Sequence, residues 1–327
     1  MKVAVDVTPL EQTRAGTARY LRALLPRVER TVTVERRHGF SRGKAGTLWL
    51  DLVWYPHVLP HAARDADVLH CPTYRAPVRS RVPVVVTVHD LAVFRLPEVF
   101  PPWMRTYSRV VVPRVVRNAR IVAAVSEFTA NEVETLLGVP RDRIRVVPNA
   151  VETSFAADGP RADGDYLLAV GTLEPRKNLA RSIEAAQRLG VELRVAGATG
   201  WGGVEATGPG VTWVGFASDD ELARLYRGAA CVVYPSLYEG FGIPVLEAMG
   251  AGLPVIAGNR SALPEVCGDA ALMVDPACTD ELAGAITRII DEPGLREELA
   301  RRGREHVRSR TWAAAAEQTW RVYQELL

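Results

Sequence analysis

The chain of 327 residues contains no apolar run near the ~20 residues that cross a bilayer. Its first residues, Met1–Val7, read as a strand and lack the charged start, apolar middle and small-residue cleavage site of an export signal. Membrane spanning and secretion are therefore not expected, and a cytoplasmic setting is. Cysteine is scarce. Cys71, Cys231, Cys267 and Cys278 form no Cys-x-x-Cys pair, so a dithiol redox motif or zinc ribbon is excluded and buried reduced thiols are expected. The histidines His38, His57, His61, His70 and His306 show no metal-ligand pairing. Lysine is almost missing: of 40 basic residues only Lys2, Lys44 and Lys177 are lysine. Between Pro101 and Val122 there is no acid, against five arginines (Arg105, Arg109, Arg114, Arg117, Arg120). Those arginines lack interleaved stacking aromatics, which argues against nucleic acid as partner.

What is present is a repeated alternation of apolar β-branched runs and helical patterns. Strands are expected at Val3–Val7, Thr31–Glu35, Val68–His70, Val84–Val88, Ile121–Val125 and Arg145–Val147. A second set follows at Tyr166–Val170, Glu192–Ala196, Val211–Val214, Cys231–Tyr234, Pro254–Ala257 and Ala271–Val274. Wholly apolar strands with helices between them imply parallel sheets covered on both faces. The fold class read from this is α/β, two doubly wound Rossmann-like domains facing a cleft, with ligands at the carboxyl ends of the strands. The polar stretch Ala156–Asp165 reads as the linker. It gives domains 1–160 and 161–310, with a last amphipathic helix at about 311–327 that returns to the first. Charge divides with the halves: residues 1–160 carry a formal +8 and residues 161–327 a formal −6, for the net +2.

Four segments carry chemistry. In Tyr234–Pro254 a buried strand ends, a loop brings Glu239, Phe241 and Gly242, and a helix starts near Ile243 and Pro244, where free N–H groups suit an anion. Glu239 falls on the loop and Glu247 about one turn into the helix. Carboxylates accept hydrogen bonds from hydroxyls, so sugar and ribose are their natural partners. In Val170–Leu179 (VGTLEPRKNL), Arg176 and Lys177 stand where adjacent cations can face a diphosphate. In Val84–Leu91 an apolar strand delivers His89 and Asp90 to the ligand edge of the sheet. His70 also ends a strand and is a candidate for the acceptor side. In Thr13–Tyr20, Gly16 lies at a strand-to-helix turn that can admit a phosphate or an acceptor. The loop Gly215–Asp220 follows another strand and is expected to enclose a base. The pairs Asp65/Asp67 and Asp163/Asp165 lie at element boundaries, and no essential metal or other cofactor is expected.

With Gly-Phe-Gly-x-Pro inside the Glu239-x7-Glu247 spacing, the chain resembles the retaining GT-B glycosyltransferases of family 4 (glycosyl transferases group 1), most of all its mannosyltransferases. The resemblance implies transfer of a hexose, mannose first, from a nucleotide-sugar to a saccharide or lipid-linked acceptor in envelope polysaccharide assembly. It implies that Glu239 contacts the transferred sugar, Glu247 the nucleotide ribose, Lys177 the phosphates and His89 the sugar hydroxyls. Backbone amides of Phe241, Gly242 and Ile243 would lie near the donor. Many relatives carry an arginine where this chain has Thr172, so Arg176 must serve instead or the clamp is weaker. The arginine-rich helix, with Arg105 and Arg109 on the acceptor side, suits contact with an anionic membrane surface or lipid-linked acceptor. Two alternatives stay open: a non-catalytic nucleotide-sugar-binding subunit, or another activity on the same fold, such as a nucleotide-sugar epimerase.

Overall fold

The computed structural model describes residues 1–12, 16–39 and 43–327. The chain forms two compact units: Met1–Pro97, Pro101–Asn149 and Trp312–Leu327 make the first, and Glu98–Phe100 with Ala150–Thr311 the second.

The first unit holds β1 (Lys2–Asp6), β2 (Thr33–Arg37), β3 (Val68–Cys71), β4 (Val84–Val88), β5 (Ile121–Ala124) and β6 (Ile144–Val146), in the order β2-β1-β3-β4-β5-β6. The second holds β7 (Leu167–Val170), β8 (Leu193–Ala196), β9 (Val211–Gly215), β10 (Cys231–Tyr234), β11 (Val255–Gly258) and β12 (Leu272–Val274), in the order β12-β11-β10-β7-β8-β9. Every pairing is parallel. All twelve expected strands are therefore found, because a strand buried on both faces must be apolar throughout. Val84–Val88 and Cys231–Tyr234 are buried at every residue. The largest shift is at β2, which lies two residues later than expected, while β1 and β6 each lie one residue earlier. β2 is an edge strand paired only with β1, so Arg36 and Arg37 can belong to it without entering the core.

In each sheet the strand order reverses once, and the loops on either side of that reversal part to leave a crevice at the strand carboxyl ends. The reversal falls between β1 and β3 in the first unit and between β7 and β10 in the second.

Two local features depart from the sequence reading, and a third, the break in the arginine-rich stretch, is the one Pro113 leads one to expect. The polar stretch Ala156–Asp165 is not a free linker. Phe155 is buried against Tyr226 (ring centroids 5.8 Å apart), and Arg227 donates to Pro160 O at 2.7 Å and Ala156 O at 3.1 Å. These contacts tie the stretch to the second unit, and the chain leaves the first unit at Asn149, to return to it only at Trp312. Residues 43–62, for which no element was expected, form the helix Gly43–Trp49, a π-helix Leu50–Val58 and the turn Leu59–Ala62. Their buried side chains, Leu50, Trp54, Tyr55 and Leu59, recur every four to five residues, which suits i→i+5 winding better than the α period. The arginine-rich stretch is two helices, Pro102–Val110 and Val112–Asn118, each with a proline in its first turn.

The C-terminal helix Trp312–Gln324 belongs to the first unit. Trp312 meets Tyr20 edge-on at 5.9 Å, and Arg145 pairs with Glu325 at 2.6 Å. Conversely, Glu98–Phe100 belongs to the second unit, where the Trp201 indole donates to Val99 O at 2.7 Å. Among the described residues, no helix is long and apolar enough to cross a membrane.

Candidate functional site

In the second unit the chain leaves β7 at Gly171 and makes a short 3-10 turn, Pro175–Lys177, before the helix Leu179–Leu189. Asn178 joins turn to helix in the left-handed region (φ 58°), which asparagine tolerates better than most residues. Its Nδ2 donates to Pro235 O at 3.1 Å and Pro276 O at 2.6 Å, so one amide ties three loops together. On the other side of the reversal, β10 ends at Tyr234 and its loop carries Glu239.

The two loops meet through charge. Lys177 Nζ donates to Glu239 Oε1 at 2.7 Å and to the Tyr234 hydroxyl at 2.7 Å. Arg176 Nη1 donates to Glu239 Oε2 and to Tyr238 O, both at 2.9 Å, while Nη2 pairs with Glu174 Oε1 at 2.8 Å. Tyr234 donates to Glu239 Oε1 at 2.9 Å. Two cations thus face two carboxylates, all largely shielded from water. Burial pushes the Glu239 pKa up, but Lys177 and Arg176 outweigh it and hold the carboxyl at about 2. Burial, with Glu239 beside it, raises Tyr234 well above the ordinary phenol range. The compensation also explains how Arg176 and Lys177 can precede a helix N-terminus, a position unfavourable to cations.

The Glu239 backbone is fixed from a third loop: its N–H donates to Ser261 Oγ at 2.8 Å, and its carbonyl accepts from Ala262 N at 3.2 Å. Ser261 holds a left-handed φ of 58° to do this. Beyond Glu239, Phe241 is buried and Gly242 (φ 102°) turns the chain into the helix Ile243–Gly250. A methyl group on Gly242 would stand 2.8 Å from Leu263 Cδ2. Glu247 does not join the cluster. It is buried on that helix, where Oε2 accepts from the Tyr226 hydroxyl at 3.1 Å. Thr172 and Lys177 line one small crevice of about 20 Å³. Gly215 ends β9 with φ 79°, and its carbonyl accepts from Gly197 N at 2.8 Å.

In the first unit a pocket of about 340 Å³ opens at the β1/β3 reversal, lined among others by Thr17, Arg75, His89, Asp90, Trp103 and Tyr107. His89 Nε2 lies 2.9 Å from Pro72 O. A carbonyl can only accept, so Nε2 carries the proton and Nδ1 is left as an acceptor. Burial lowers the His89 pKa, against the Pro72 hydrogen bond and Asp90, and favours that neutral form. Asp90 Oδ1 accepts from Ala92 N at 3.1 Å, which shapes the loop. Gly16 is exposed and starts the helix Gly16–Val28, while Thr13, Arg14 and Ala15 of the same segment lie outside the described residues.

His70 is a correction. Its Nδ1 lies 2.6 Å from the Tyr323 hydroxyl and its Nε2 2.8 Å from Thr87 Oγ1, and burial lowers its pKa to about 3. Both nitrogens are committed inside the core, so it cannot meet an acceptor. The helix Pro102–Val110 turns Trp103, Met104, Tyr107 and Ser108 to the pocket, whereas Arg105 and Arg109 follow the adjacent stripe.

Several site residues were not singled out from sequence. Glu174 lay inside the VGTLEPRKNL segment, and Asn178 stands where a helix cap is expected. Asp6, an acid ending an otherwise apolar strand, accepts from Thr8 N at 3.2 Å, Thr8 Oγ1 at 2.5 Å and Tyr55 OH at 3.3 Å. Burial raises its pKa to about 6, with those hydrogen bonds acting the other way. For Ser261, Asp51 and Arg75 the sequence held no such signal. Among the described residues no three His, Cys, Asp or Glu side chains are grouped as a metal site. Asp67 accepts from Lys2 N at 2.7 Å and Asp165 pairs with Arg296 at 3.6 Å.

Known proteins resemble the chain over both halves. The family model described as Glycosyl transferases group 1 matches residues 151–306, and that described as Glycosyltransferase Family 4 matches residues 7–155. The O-antigen chain mannosyltransferase B of Escherichia coli is 32% identical over 299 residues, 83% of this chain and 78% of that protein. The D-inositol 3-phosphate glycosyltransferase of Acidothermus cellulolyticus is 30% identical over 315 residues, 84% of this chain and 68% of that protein. Among solved structures, sucrose-phosphate synthase from Thermosynechococcus elongatus superposes with a TM-score of 0.82 at 20% identity, covering 100% of this chain and 99% of the other. HepE of Anabaena in complex with UDP and glucose gives 0.77 at 20% identity, covering 99% of each.

Proposed function

We propose a reaction for this chain, which belongs to the glycosyl transferases group 1 family and carries the family 4 domain in its first half. It moves a hexose from a nucleotide-sugar donor to a saccharide or lipid-linked acceptor, with retention of anomeric configuration. Its architecture is that of the GT-B glycosyltransferases, two doubly wound α/β units. The observation that carries the reading is the Lys177–Glu239–Arg176 cluster at the strand reversal of the second sheet.

In this reading Lys177 and Arg176 offset the charge that builds on the leaving diphosphate. Among the described residues Lys177 uses two of its three N–H donors, on Glu239 and Tyr234. Glu239, held ionised, accepts from hydroxyls of the transferred sugar, and Glu247, oriented by Tyr226, from those of the ribose. Glu239 and Glu247 act as binders in this reading, attack comes on the face the diphosphate leaves, and the diphosphate takes the acceptor's proton. His89 Nδ1 accepts from a sugar hydroxyl. No essential metal takes part in this reading, and the N–H donor that Lys177 keeps beyond Glu239 and Tyr234 meets the diphosphate. Mannose is the favoured sugar because the relative at 32% identity is a mannosyltransferase. GDP-mannose is the first donor to try, and UDP-sugars come next.

The test has two stages. Thermal unfolding with GDP, UDP, ADP and TDP at about 100 times Kd should show one nucleotide adding about 2.7 kcal/mol. Proton NMR of the product made from the matching α-linked donor, with EDTA present, should then show an α-linkage. A β-linked product would overturn retention, and loss of turnover in EDTA would overturn the metal-free mechanism.

Peripheral contact with the inner face of the cell membrane, without insertion, belongs to the same proposal. It is supported by the exposed Arg109, Arg114, Arg117 and Arg120, with exposed Leu48 and Leu52 in the same unit. Co-sedimentation with anionic vesicles at low salt and none with neutral vesicles is expected, and equal partitioning would refute it.

A further inference from the structure

We propose that Glu174 is a positioning residue: it holds the Arg176 guanidinium back from direct contact with the diphosphate, and so sets how readily the leaving nucleotide is released. This deepens the glycosyltransferase reading and rests on it.

The charge pattern poses the question. The loops at 171–178 and 235–242 carry four charged residues, Glu174, Arg176, Lys177 and Glu239. Glu239 by itself meets both cations, Lys177 through Oε1 and Arg176 through Oε2. One carboxylate against two cations would leave one formal positive charge for a diphosphate. Glu174 cancels it. Its side chain is only 3% exposed and lies on Arg176 Nη2 at 2.8 Å. A carboxylate so buried is costly to desolvate, and here it lowers the attraction for the anion that the cluster is read to receive. Removing it would raise the cluster by one positive charge, whatever else lines the site.

The geometry says how Glu174 acts. The guanidinium is a planar fork, and its two ends are held by different carboxylates. Nη1 donates to Glu239 Oε2 and Tyr238 O, both at 2.9 Å, and Nη2 meets Glu174. The turn beneath is fixed by its backbone. Arg176 O accepts from Leu237 N at 2.8 Å, Lys177 N donates to Glu174 O at 3.1 Å, and Leu173 bridges to Thr199. These bonds do not depend on the Glu174 carboxylate. Its loss therefore keeps the turn and takes an anionic partner from Nη2. A diphosphate is then the anion the site admits, and arginine is suited to grip it with two N–H groups. With Glu174 in place, Arg176 acts on the diphosphate through its charge, and Lys177 acts by contact. A grip equal on donor and product does not speed transfer, and it slows product release.

The experiment is calorimetric titration of the whole chain with GDP, UDP, guanosine, uridine and pyrophosphate. Glu174→Gln keeps the shape of the side chain and an oxygen for Nη2. It should bind pyrophosphate and the matching nucleoside diphosphate about tenfold more tightly than wild type, and the nucleoside equally well. With the donor, kcat should fall and KM should fall with it. Loosened loops would do the reverse, weakening nucleotide and nucleoside alike and raising KM. In an Arg176→Gln background the same change should alter diphosphate affinity by less than about threefold, because Glu174 acts through the guanidinium. Should Glu174→Gln fail to fold, Glu174→Asp keeps the charge but falls one methylene short of Nη2, and a gain of about threefold is expected. Diphosphate affinity unchanged or weaker in the folded variant would overturn the proposal. So would an equal gain for the nucleosides, or an equal gain without Arg176. If neither nucleotide binds wild type, the glycosyltransferase reading falls, while pyrophosphate still decides the role of Glu174.

Discussion

Glu239→Gln lowers turnover by about 10²–10³-fold, the scale on which single groups that organise transition-state charge act. Glutamine keeps the size of the side chain and removes the charge that Lys177 and Arg176 share. Nucleotide binding should survive, since the cations remain, so kcat is expected to fall much further than donor affinity. Folding free energy should fall as well, by about 3 kcal/mol at neutral pH, because buried cations lose their partner. The pH dependence separates this from a packing defect. The folded-state pKa of Glu239, about 2, lies below its ordinary value of 4.5. Its contribution is therefore complete above the ordinary carboxylate range and lost as pH falls through the folded value. Urea unfolding should show the gap between wild type and variant shrinking to about half or less between pH 7 and pH 3. A gap that stays constant would refute the ion-pair account, and turnover within about threefold of wild type would remove Glu239 from the mechanism.

Gly197→Ala should be among the most damaging single changes in the second unit. A methyl group at 197 would stand 1.8 Å from the carbonyl oxygen of Gly171 and 2.6 Å from its carbon. Both are backbone atoms, so no rotamer change relieves the clash. Gly171 N donates to Ala196 O at 2.9 Å and Gly197 N to Gly215 O at 2.8 Å, which locks the ends of β7, β8 and β9 together. Accommodating the methyl means prising β7 from β8 at the start of the loop that carries Lys177. The expected loss is about 3 kcal/mol or more, at the upper end for overpacking, with nucleotide binding weakened in parallel. Gly284→Ala is the control. It lies inside the helix Thr279–Asp291, a methyl there meets nothing within 4 Å, and the change should be neutral or stabilising by about 0.5–1 kcal/mol. Equal melting curves for Gly197→Ala and wild type would show that the two strand ends can separate freely.

The sheets were legible because burial on both faces leaves no polar position within a strand, so Val84–Val88 and Cys231–Tyr234 announce themselves. Glu239, Arg176 and Lys177 were legible for a related reason. Each follows an apolar strand of the second sheet within a short loop, and a strand order that reverses once must gather such loops at one edge. The pairing of Arg176 and Lys177 with Glu239, rather than their standing as free clamps, depends on loops some sixty residues apart in sequence. No local pattern encodes that distance.

His70 shows the limit from the other side. By sequence it resembles His89, a histidine at the end of an apolar strand. What separates them is the C-terminal helix, whose Tyr323 reaches His70 across 253 positions and closes it into the core. The Asp51–Arg75 pair is of the same kind, brought together by a π-helix with no period familiar enough to read. The chain by itself determined its strands, its two α/β units and the loops that carry charge, because those follow from local periodicity and burial. Only the tertiary structure decided which charges neutralise one another, which histidine keeps a nitrogen for a ligand, and where a pocket opens, because those depend on contacts between segments remote in sequence.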